Sequence, residues 1–354
     1  DGLFDGGDPC PLDVSATDNI ETDHLNCGEC GHVCSADDGP NVATWACLGG
    51  VCQPTEDGCA AGFLDLESNE PGCESERVII YVRSNGSNSN DGLSSEVECV
   101  DGHCSGPKGS VYAGINAAPE NGIVDVGGGT FPATGEAKYE LTTDGVTLRG
   151  AAKNGTIIET GYYDNKMKVL ANGVTLESFT FRNQDTSNFH LTGIDAGTAT
   201  GLTIRDVAVV GCEVYSILLD GTSDALLEDI VISDPKGNAN SPTYQPRAIG
   251  IEGGATNVTL RNVQITGMGV GWGPDAVGLQ VVDSTNITIE DLVVEDFVAS
   301  HQDDGAWRAT GVSVSSVFGL TMKRVEVNGV RALKHGLLDG ADATGVKLAS
   351  CSNC

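Results

Sequence analysis

From residue 145 onward the chain repeats one short pattern of apolar and polar positions. An apolar–x–apolar stretch is followed by two polar residues and then by a second apolar–x–apolar stretch. Full copies begin at Val174, Leu202, Ala225, Val258, Ile287 and Leu320, and half copies begin at Val146 and Val346. Alternation with a period of two is typical of β-strands. Each repeat therefore predicts two short strands that meet at a polar corner.

The spacing of the repeats predicts a solenoid. Equivalent positions lie 23 to 33 residues apart, and a Gly-rich third stretch closes each turn. Coils of this size that stack about 4.8 Å apart form a parallel β-helix, because one coil alone has no partner for its apolar face. We therefore predict an all-β chain that is dominated by a parallel β-helix.

Two outward-facing columns define the predicted register of the coils. The charge of the residue after the second apolar position alternates from coil to coil, and a threonine column lies two residues earlier. The charged column is Arg149, Glu177, Arg205, Glu228, Arg261, Glu290 and Lys323, and the threonine column is Thr147, Thr175, Thr203, Thr259, Thr288 and Thr321. Each charged side chain should lie between two opposite charges. An exposed pair contributes only about 0.2–1 kcal/mol, so we expect these columns to be structural.

Three features resemble the pectate-lyase-like superfamily of right-handed β-helices. They are the segment Tyr81-Val-Arg-Ser-Asn-Gly-Ser-Asn-Ser-Asn-Asp-Gly92, the segment Gly145-Val-Thr-Leu-Arg-Gly150, and the coils that follow. The resemblance covers about residues 78–354. It implies an N-terminal cap over about 78–144, with a short helix at 110–118, and coils from about 145. Because the superfamily hosts lyases, hydrolases, esterases, adhesins and structural proteins, the resemblance implies a fold and leaves the function open.

The first 76 residues differ from the rest in charge and in cysteine content. They contain 17 acidic residues, no Lys or Arg, and eight of the 13 cysteines. This density indicates a disulfide framework in an oxidising compartment, and the C-x-x-C at Cys27–Cys30 leaves a metal site as an alternative. The segment Asn26-Cys-Gly-Glu-Cys-Gly-His-Val-Cys34 resembles the Cys-rich modules of secreted myxobacterial and related deltaproteobacterial surface proteins. We therefore predict two domains, 1–76 and 77–354, in a protein located outside the cell or on its surface.

The remaining cysteines and the acidic opening segment lead to further predictions. We expect Cys99 and Cys104 to form one bridge and Cys212 to be a half-buried thiol. The predicted disulfide cysteines are Cys10, Cys27, Cys30, Cys34, Cys47, Cys52, Cys59, Cys73, Cys99, Cys104, Cys351 and Cys354. The acidic opening segment resembles the tail of an acidic metal-binding repeat. Asp1, Asp5 and Asp8 are therefore candidate calcium ligands. The alternative is that this segment is only a solvated linker.

Charge and hydropathy exclude several classes of partner. The chain has 50 acidic and 19 basic residues, which gives a net charge of −31. This balance argues against nucleic acid or an anionic membrane surface as a partner. No run of about 18 apolar residues is present, so we predict no membrane-spanning segment. We also expect no organic cofactor.

Three long insertions at 233–247, 267–275 and 296–308 fall at the same corner of successive coils. We call them the loop lip. Loops on a rigid scaffold often carry binding residues, and exposed aromatic rings suit sugar rings. The candidate ligand-binding residues are Tyr244, Arg247, Trp272, Asp275, His301, Asp303, Asp304, Trp307 and Arg308. Arg247, Asp275 and Arg308 each lie three residues before a glycine, which predicts an Arg–Asp–Arg ladder. The alternative is that these loops only cover the sheet.

The motifs of polysaccharide-cleaving β-helices are incomplete in this chain. Asp303-Asp304 falls in a loop rather than in a strand, and we find no acidic cluster opposite an Arg or Lys base. We therefore predict a secreted, non-catalytic structural or adhesive protein, with glycans as candidate partners. The alternative is a lyase or glycoside hydrolase that acts on an acidic polysaccharide. The half repeat at Val346 predicts an uncapped coil, and through it end-to-end stacking of copies of the chain into filaments.

Overall fold

The computed structural model describes most of the chain beyond residue 75 and short segments before it. The described residues are 27, 32–35, 42–48, 50–55, 63–64, 75–100, 103–133, 139–160, 166–183, 192–212, 214–235, 246–267, 275–301, 307–334 and 341–353. The chain forms two compact units, Asp1–Val78 and Ile79–Cys354. Each unit is described by itself below.

The described residues of the first unit contain two antiparallel strand pairs and two disulfides. The pairs are β1 (Trp45–Leu48) with β2 (Val51–Pro54), and β3 (Phe63–Leu64) with β4 (Ser75–Glu76). Cys27 is bonded to Cys47 and Cys34 to Cys52, which confirms the disulfide prediction for these four residues. The predicted partners Cys10, Cys30, Cys59 and Cys73 lie outside the described residues.

The second unit is a right-handed parallel β-helix, as predicted. Each full coil runs from a sheet that we call C, through sheet A, to sheet B. Sheet A comprises β5 (Ile79–Val82), β8 (Ile123–Val126), β11 (Thr147–Gly150) and the first halves of β14 (Thr175–Asn183), β16 (Thr203–Val210), β18 (Leu226–Ser233), β20 (Thr256–Thr266) and β22 (Thr285–Glu295). Sheet B comprises β9 (Gly129–Phe131), β12 (Thr156–Thr160) and the second halves of those long strands.

Sheet C closes each turn. It comprises β10 (Tyr139–Leu141), β13 (Met167–Val169), β15 (Ile194–Ala196), β17 (Tyr215–Asp220), β19 (Arg247–Glu252), β21 (Asp275–Val282) and β26 (Ala341–Ser352). The long strand β24 (Trp307–Asn328) bends through all three sheets. A further parallel pair, β23 (Val298–His301) with β25 (Arg331–Lys334), joins the third insertion of the loop lip to the loop of the next coil.

The interior is filled by the apolar positions of the repeat. In the first full repeat Val174, Leu176, Phe179 and Phe181 are all completely buried, and the equivalent residues of the next four copies are also buried. In the last copy Leu320 is buried, whereas Met322, Val325 and Val327 are partly buried. The ring of Tyr139 packs edge-on against Phe181, with their centroids 6.3 Å apart. Period-two alternation therefore identified the core correctly.

The charged column has the register that the sequence predicts. Arg149 lies opposite Glu177, and the alternation continues without a break to Lys323. Arg261 donates to Glu228 at 2.9 Å, and Lys323 donates to Glu290 at 2.8 Å. One further acid, Asp125, extends the column below Arg149, which contacts it at 3.0 Å.

The corner between sheets A and B has a left-handed backbone conformation. Its residues have φ values between 51° and 58°, a region that Asn and Asp adopt more readily than most side chains because a short polar chain can bond locally. They are Ser178, Asp206, Asp229, Asn262, Asp291 and Arg324. The Ser178 hydroxyl donates to Asp206 of the next coil at 3.0 Å. The corners are therefore stacked as well as tightly turned.

A hairpin and a helix precede the full coils, and the helix packs on the first strands. The hairpin β6 (Glu98–Val100) with β7 (His103–Ser105) places Cys99 opposite Cys104, the register that the predicted bridge requires. The predicted cap helix is present as α1 (Val111–Ala117), and the Ser110 hydroxyl caps it by accepting from the amide of Ala113. A Cβ at Gly114 would lie 2.5 Å from Val82, so glycine allows the helix to pack directly on sheet A. Among the described residues no helix is long and apolar enough to cross a membrane.

Two other cysteines have defined places. Cys351 is disulfide-bonded, as predicted, whereas Cys354 lies outside the described residues. Cys212 is only 1% exposed, so this thiol is more deeply buried than predicted. A Cβ at Gly193 would lie 2.7 Å from its sulfur, which shows how closely the neighbouring coil packs on it.

Candidate functional site

The start of each sheet C strand lies close to the inner side chains of sheet B, and only small residues fit there. A Cβ at Gly278 would lie 3.1 Å from Val294, and one at Gly311 would lie 2.3 Å from Val327. Ser216 and Ala248 hold the same register position in lower coils and are fully buried. The residues just before these two, Tyr215 and Arg247, are only half-buried. They belong to the outer face of sheet C, and Arg247 is the last residue of the first insertion.

Three polar side chains meet on this outer face. Arg247 donates through one guanidinium nitrogen to the Tyr215 hydroxyl at 2.8 Å, and that hydroxyl donates to Oε1 of Glu252 at 3.1 Å. The guanidinium carbon lies 5.2 Å from the centre of the Tyr215 ring, which is a cation–π contact. We call Arg247, Tyr215 and Glu252 the Arg–Tyr–Glu cluster.

Gly250 makes room for this cluster. A Cβ at Gly250 would lie 2.4 Å from Cε1 of Tyr215, so any side chain would displace the ring. Tyr215 pairs with Arg247 in adjacent coils, and Glu252 follows on the same strand as Arg247. The parallel register of two coils thus positions a ring, a cation and an acid within hydrogen-bonding distance.

The electrostatics of the cluster favour a protonated phenol. Burial raises the pKa of Tyr215 to about 12, the negative charge of Glu252 also raises it, and Arg247 opposes the change. At neutral pH the hydroxyl therefore keeps its proton and acts as a hydrogen-bond donor. A phenol with such a pKa is a poor general base, because a base works best with a pKa near the working pH.

The predicted Arg–Asp–Arg ladder is only partly correct. Asp275 does lie opposite Arg308, but Arg247 lies opposite Val277. The prediction aligned the strands by their glycines, whereas the inward apolar residues determine the register, and Ile249 pairs with Leu279. Arg247 is therefore two residues out of register with Asp275, and on its other side it pairs with Tyr215. Arg308 continues the column to Asp342 instead.

The other candidate residues have varied positions. His301 lies on β23 opposite Lys334, and Trp307 begins β24 opposite Ala341. Arg308 is exposed. Four lip candidates, Tyr244, Trp272, Asp303 and Asp304, and the calcium candidates Asp1, Asp5 and Asp8 lie outside the described residues. For these, the sequence predictions stay predictions.

Sequence reasoning missed Tyr215, Glu252 and Gly250. The signal that could have found them was the alignment of successive coils by inward apolar residues, which places Tyr215 next to Arg247. It also missed Glu159, which is buried and ion-paired with Arg182 on sheet B. The Glu159 side chain is 3% exposed and the pair joins two adjacent coils, so we regard it as structural.

One group of side chains in the described part of the chain has ligand atoms close enough for a metal ion. It consists of the sulfurs of Cys27, Cys34 and Cys52, which lie within 4.8 Å of one another. All three belong to the two disulfides of the first unit.

Solved structures that are similar to this chain share little sequence with it. No protein-family model and no curated protein sequence matches the chain. A solved rhamnogalacturonan lyase is similar over 69% of this chain and 72% of its own, with 11% identity and a TM-score of 0.47. A pectin methylesterase bound to a hexasaccharide matches 74% of this chain and 92% of its own, with 11% identity and a TM-score of 0.38. The catalytic domain of a GH87 α-1,3-glucanase in complex with nigerose matches 67% of this chain and 61% of its own, with 12% identity and a TM-score of 0.37.

Proposed function

We propose that this chain is an extracellular, non-catalytic protein that binds glycans on the outer face of sheet C. The Arg–Tyr–Glu cluster is the observation that carries the proposal. It combines an aromatic ring, a cation and a carboxylate on a parallel sheet. Rigid placement of a few polar groups around an apolar ring face is what orientation of a sugar requires.

The cluster has the chemistry for neutral hydroxyl groups. A carboxylate has about four acceptor positions, and Tyr215 occupies one of those on Glu252. Glu252 can therefore accept from sugar hydroxyls, and Arg247 supplies donors beside it. The net charge of −31 repels a polyanion at long range, so an uncharged glycan suits this surface better than an acidic one.

The same geometry supports binding rather than cleavage. The phenol of Tyr215 is held protonated, and its partners are a cation and an acid that already bond to it. Glycoside hydrolysis in most families uses two carboxylic groups on either side of the scissile bond, and the cluster offers one. The alternative function, a polysaccharide lyase or hydrolase, therefore becomes one outcome of the test.

The test measures binding and cleavage on the same samples. Isothermal titration with uncharged and acidic polysaccharides should show saturable binding of an uncharged one. Tyr215→Phe removes both hydroxyl bonds and should weaken binding at least tenfold. Tyr112→Phe is the matched control, because Tyr112 is exposed on α1 and should leave the affinity unchanged.

Product chain length, followed by chromatography, distinguishes the two functions. Polysaccharide of unchanged length after prolonged incubation supports the binding function. Shortened chains with wild type, and intact chains with Arg247→Ala, would instead establish an enzyme. Affinity that is equal for wild type and Tyr215→Phe would remove sheet C as the binding face.

The extracellular location is supported by the two disulfides of the first unit, because cytosolic thiols are kept reduced. Calcium binding through Asp1, Asp5 and Asp8 stays part of the proposal, and a rise in melting temperature with added calcium that Asp5→Asn abolishes would support it. Without a calcium-dependent shift, the acidic segment is a solvated linker.

A further inference from the structure

The two disulfides of the first unit form one sulfur cluster. Besides the bonded pairs Cys27–Cys47 and Cys34–Cys52, the sulfurs of Cys27, Cys34 and Cys52 lie within 4.8 Å of one another. The hairpin explains this proximity, because Cys47 lies directly opposite Cys52 in the β1–β2 register. The segments before the hairpin add the other two sulfurs.

The cluster is shielded from solvent. Cys27, Cys47 and Cys52 are between 1% and 4% exposed, and Trp45 packs against them. The loop that leaves Cys27 is closed by a bond from its amide to the carbonyl of His32, at 2.9 Å. A ring nitrogen of His32 lies 3.0 Å from the carbonyl of Cys27. These contacts join Cys27 and His32 independently of the sulfur bonds.

We propose that the reduced form of this unit binds one zinc ion through Cys27, Cys34, Cys47 and Cys52. Zinc prefers tetrahedral thiolate sites with Zn–S bonds of about 2.3 Å, which place the sulfurs about 3.8 Å apart. The sulfurs of Cys27, Cys34 and Cys52 are already within 4.8 Å of one another, and Cys47 adjoins Cys27 as its disulfide partner. The Cα atoms of each bonded pair are 5.5 Å apart, so rotation of the reduced side chains can direct the sulfurs at one ion.

The zinc-bound form and the disulfide-bonded form are then two states of the same four sulfurs. A low-molecular-weight disulfide is the oxidant that converts one state to the other. Two molecules of it accept four electrons from the four thiolates and take up four protons to become four thiols. The thiolates form two S–S bonds, and the zinc ion is released. A metal held in this way would keep the cysteines in their native neighbourhood until the protein reaches an oxidising compartment.

The experiment uses the full chain reduced with a phosphine and titrated with cobalt(II) as the probe. The titration should show thiolate-to-cobalt charge-transfer absorption and the strong visible bands of a tetrahedral site. The tightest binding phase should saturate at one cobalt ion per chain, and zinc should displace this cobalt ion. The oxidised protein should show no such bands. Absence of the bands in the reduced wild type would overturn the proposal.

Matched variants locate the site among the other reduced cysteines. Cys34→Ser and Cys52→Ser should each weaken cobalt binding at least tenfold, whereas Cys212→Ser, a buried thiol of the β-helix, should leave it unchanged. Bands that survive both Cys34→Ser and Cys52→Ser would assign the metal to other cysteines and overturn the proposal. Because the readout is spectroscopic, a variant that no longer folds in the absence of metal still gives a decisive titration.

Discussion

At the scale of single residues, backbone conformation decides which side chains can occupy the corners of the coils. The corner residues between sheets A and B have positive φ, and most of them are Asp, Asn or Ser. Asp291 combines this role with an ion pair, because Arg324 of the next coil donates to its carboxylate. A single position thus contributes both to the turn and to the stacking of two coils.

The Asp291–Arg324 pair predicts a pH-dependent effect on stability. The hydrogen bond from Arg324 holds the pKa of Asp291 below its usual value of 3.8. A carboxylate with a lowered pKa in the folded state stabilises the fold above its unfolded pKa, and this contribution is lost as the pH falls through the folded pKa. Asp291→Asn should therefore melt at a lower temperature than wild type at neutral pH, and the difference should shrink as the pH falls below 3.8 and through the lowered pKa of the folded state.

Thermal melts followed by circular dichroism at several pH values check this expectation. Asp283→Asn is a suitable control, because Asp283 also has a positive φ but lies outside the ion pair. A difference between Asp291→Asn and wild type that stays constant from neutral to acidic pH would contradict the assigned cause.

At the scale of elements, the alternating charges along sheet A select the register of neighbouring coils. A shift of one coil by one residue would turn its inward apolar side chains outwards, so the core already disfavours it. A shift by two residues preserves the core but separates each charge from its partners. The charged column therefore adds specificity where apolar packing alone would allow an error.

Reversal of one charge in this column should be more harmful than its removal. Glu228 lies between Arg205 and Arg261, and its side chain is 30% exposed. Glu228→Lys creates two like-charge contacts and should cost about 1–2 kcal/mol of unfolding free energy, whereas Glu228→Gln should cost about half of that or less. Chemical denaturation at low and at high salt measures both effects.

Salt provides the internal control for this prediction. Added salt screens exposed charges. The difference in unfolding free energy between Glu228→Lys and Glu228→Gln should therefore become smaller at high ionic strength. Equal stability of the two variants at low salt would show that the column does not influence stacking energetically.

At the scale of the whole molecule, the two ends of the β-helix differ in how well their apolar side chains are covered. The first coils are covered by α1, which buries Val111 and Ile115 in the core. On β26, by contrast, Val346 and Leu348 are 43% and 52% exposed, although their register partners Val312 and Val314 are buried. Any coil that stacks on β26 would cover both residues, whether it comes from the same natural chain or from a second copy.

The exposed apolar residues of β26 predict self-association of the chain. Open edge strands with apolar side chains favour pairing with another chain, so light scattering should show a mass that rises with concentration. Val346→Lys and Leu348→Lys should both return the mass to that of one chain, and Lys347→Glu, on the opposite face of the strand, should have little effect. A constant monomeric mass of wild type at high concentration would rule out the proposed end-to-end stacking.

The chain's own pattern determined the β-helix, its core and its charged register, whereas the tertiary structure determined the candidate site. Apolar alternation is local and repeats in every coil, so Val174, Phe179 and their equivalents could be assigned from sequence. The Arg–Tyr–Glu cluster depends on the pairing of β17 with β19, which are separated by a long insertion, and on the space above Gly250. Glycine spacing suggested the wrong partner for Arg247, because the buried apolar side chains of neighbouring coils, rather than the glycines, set the register of sheet C.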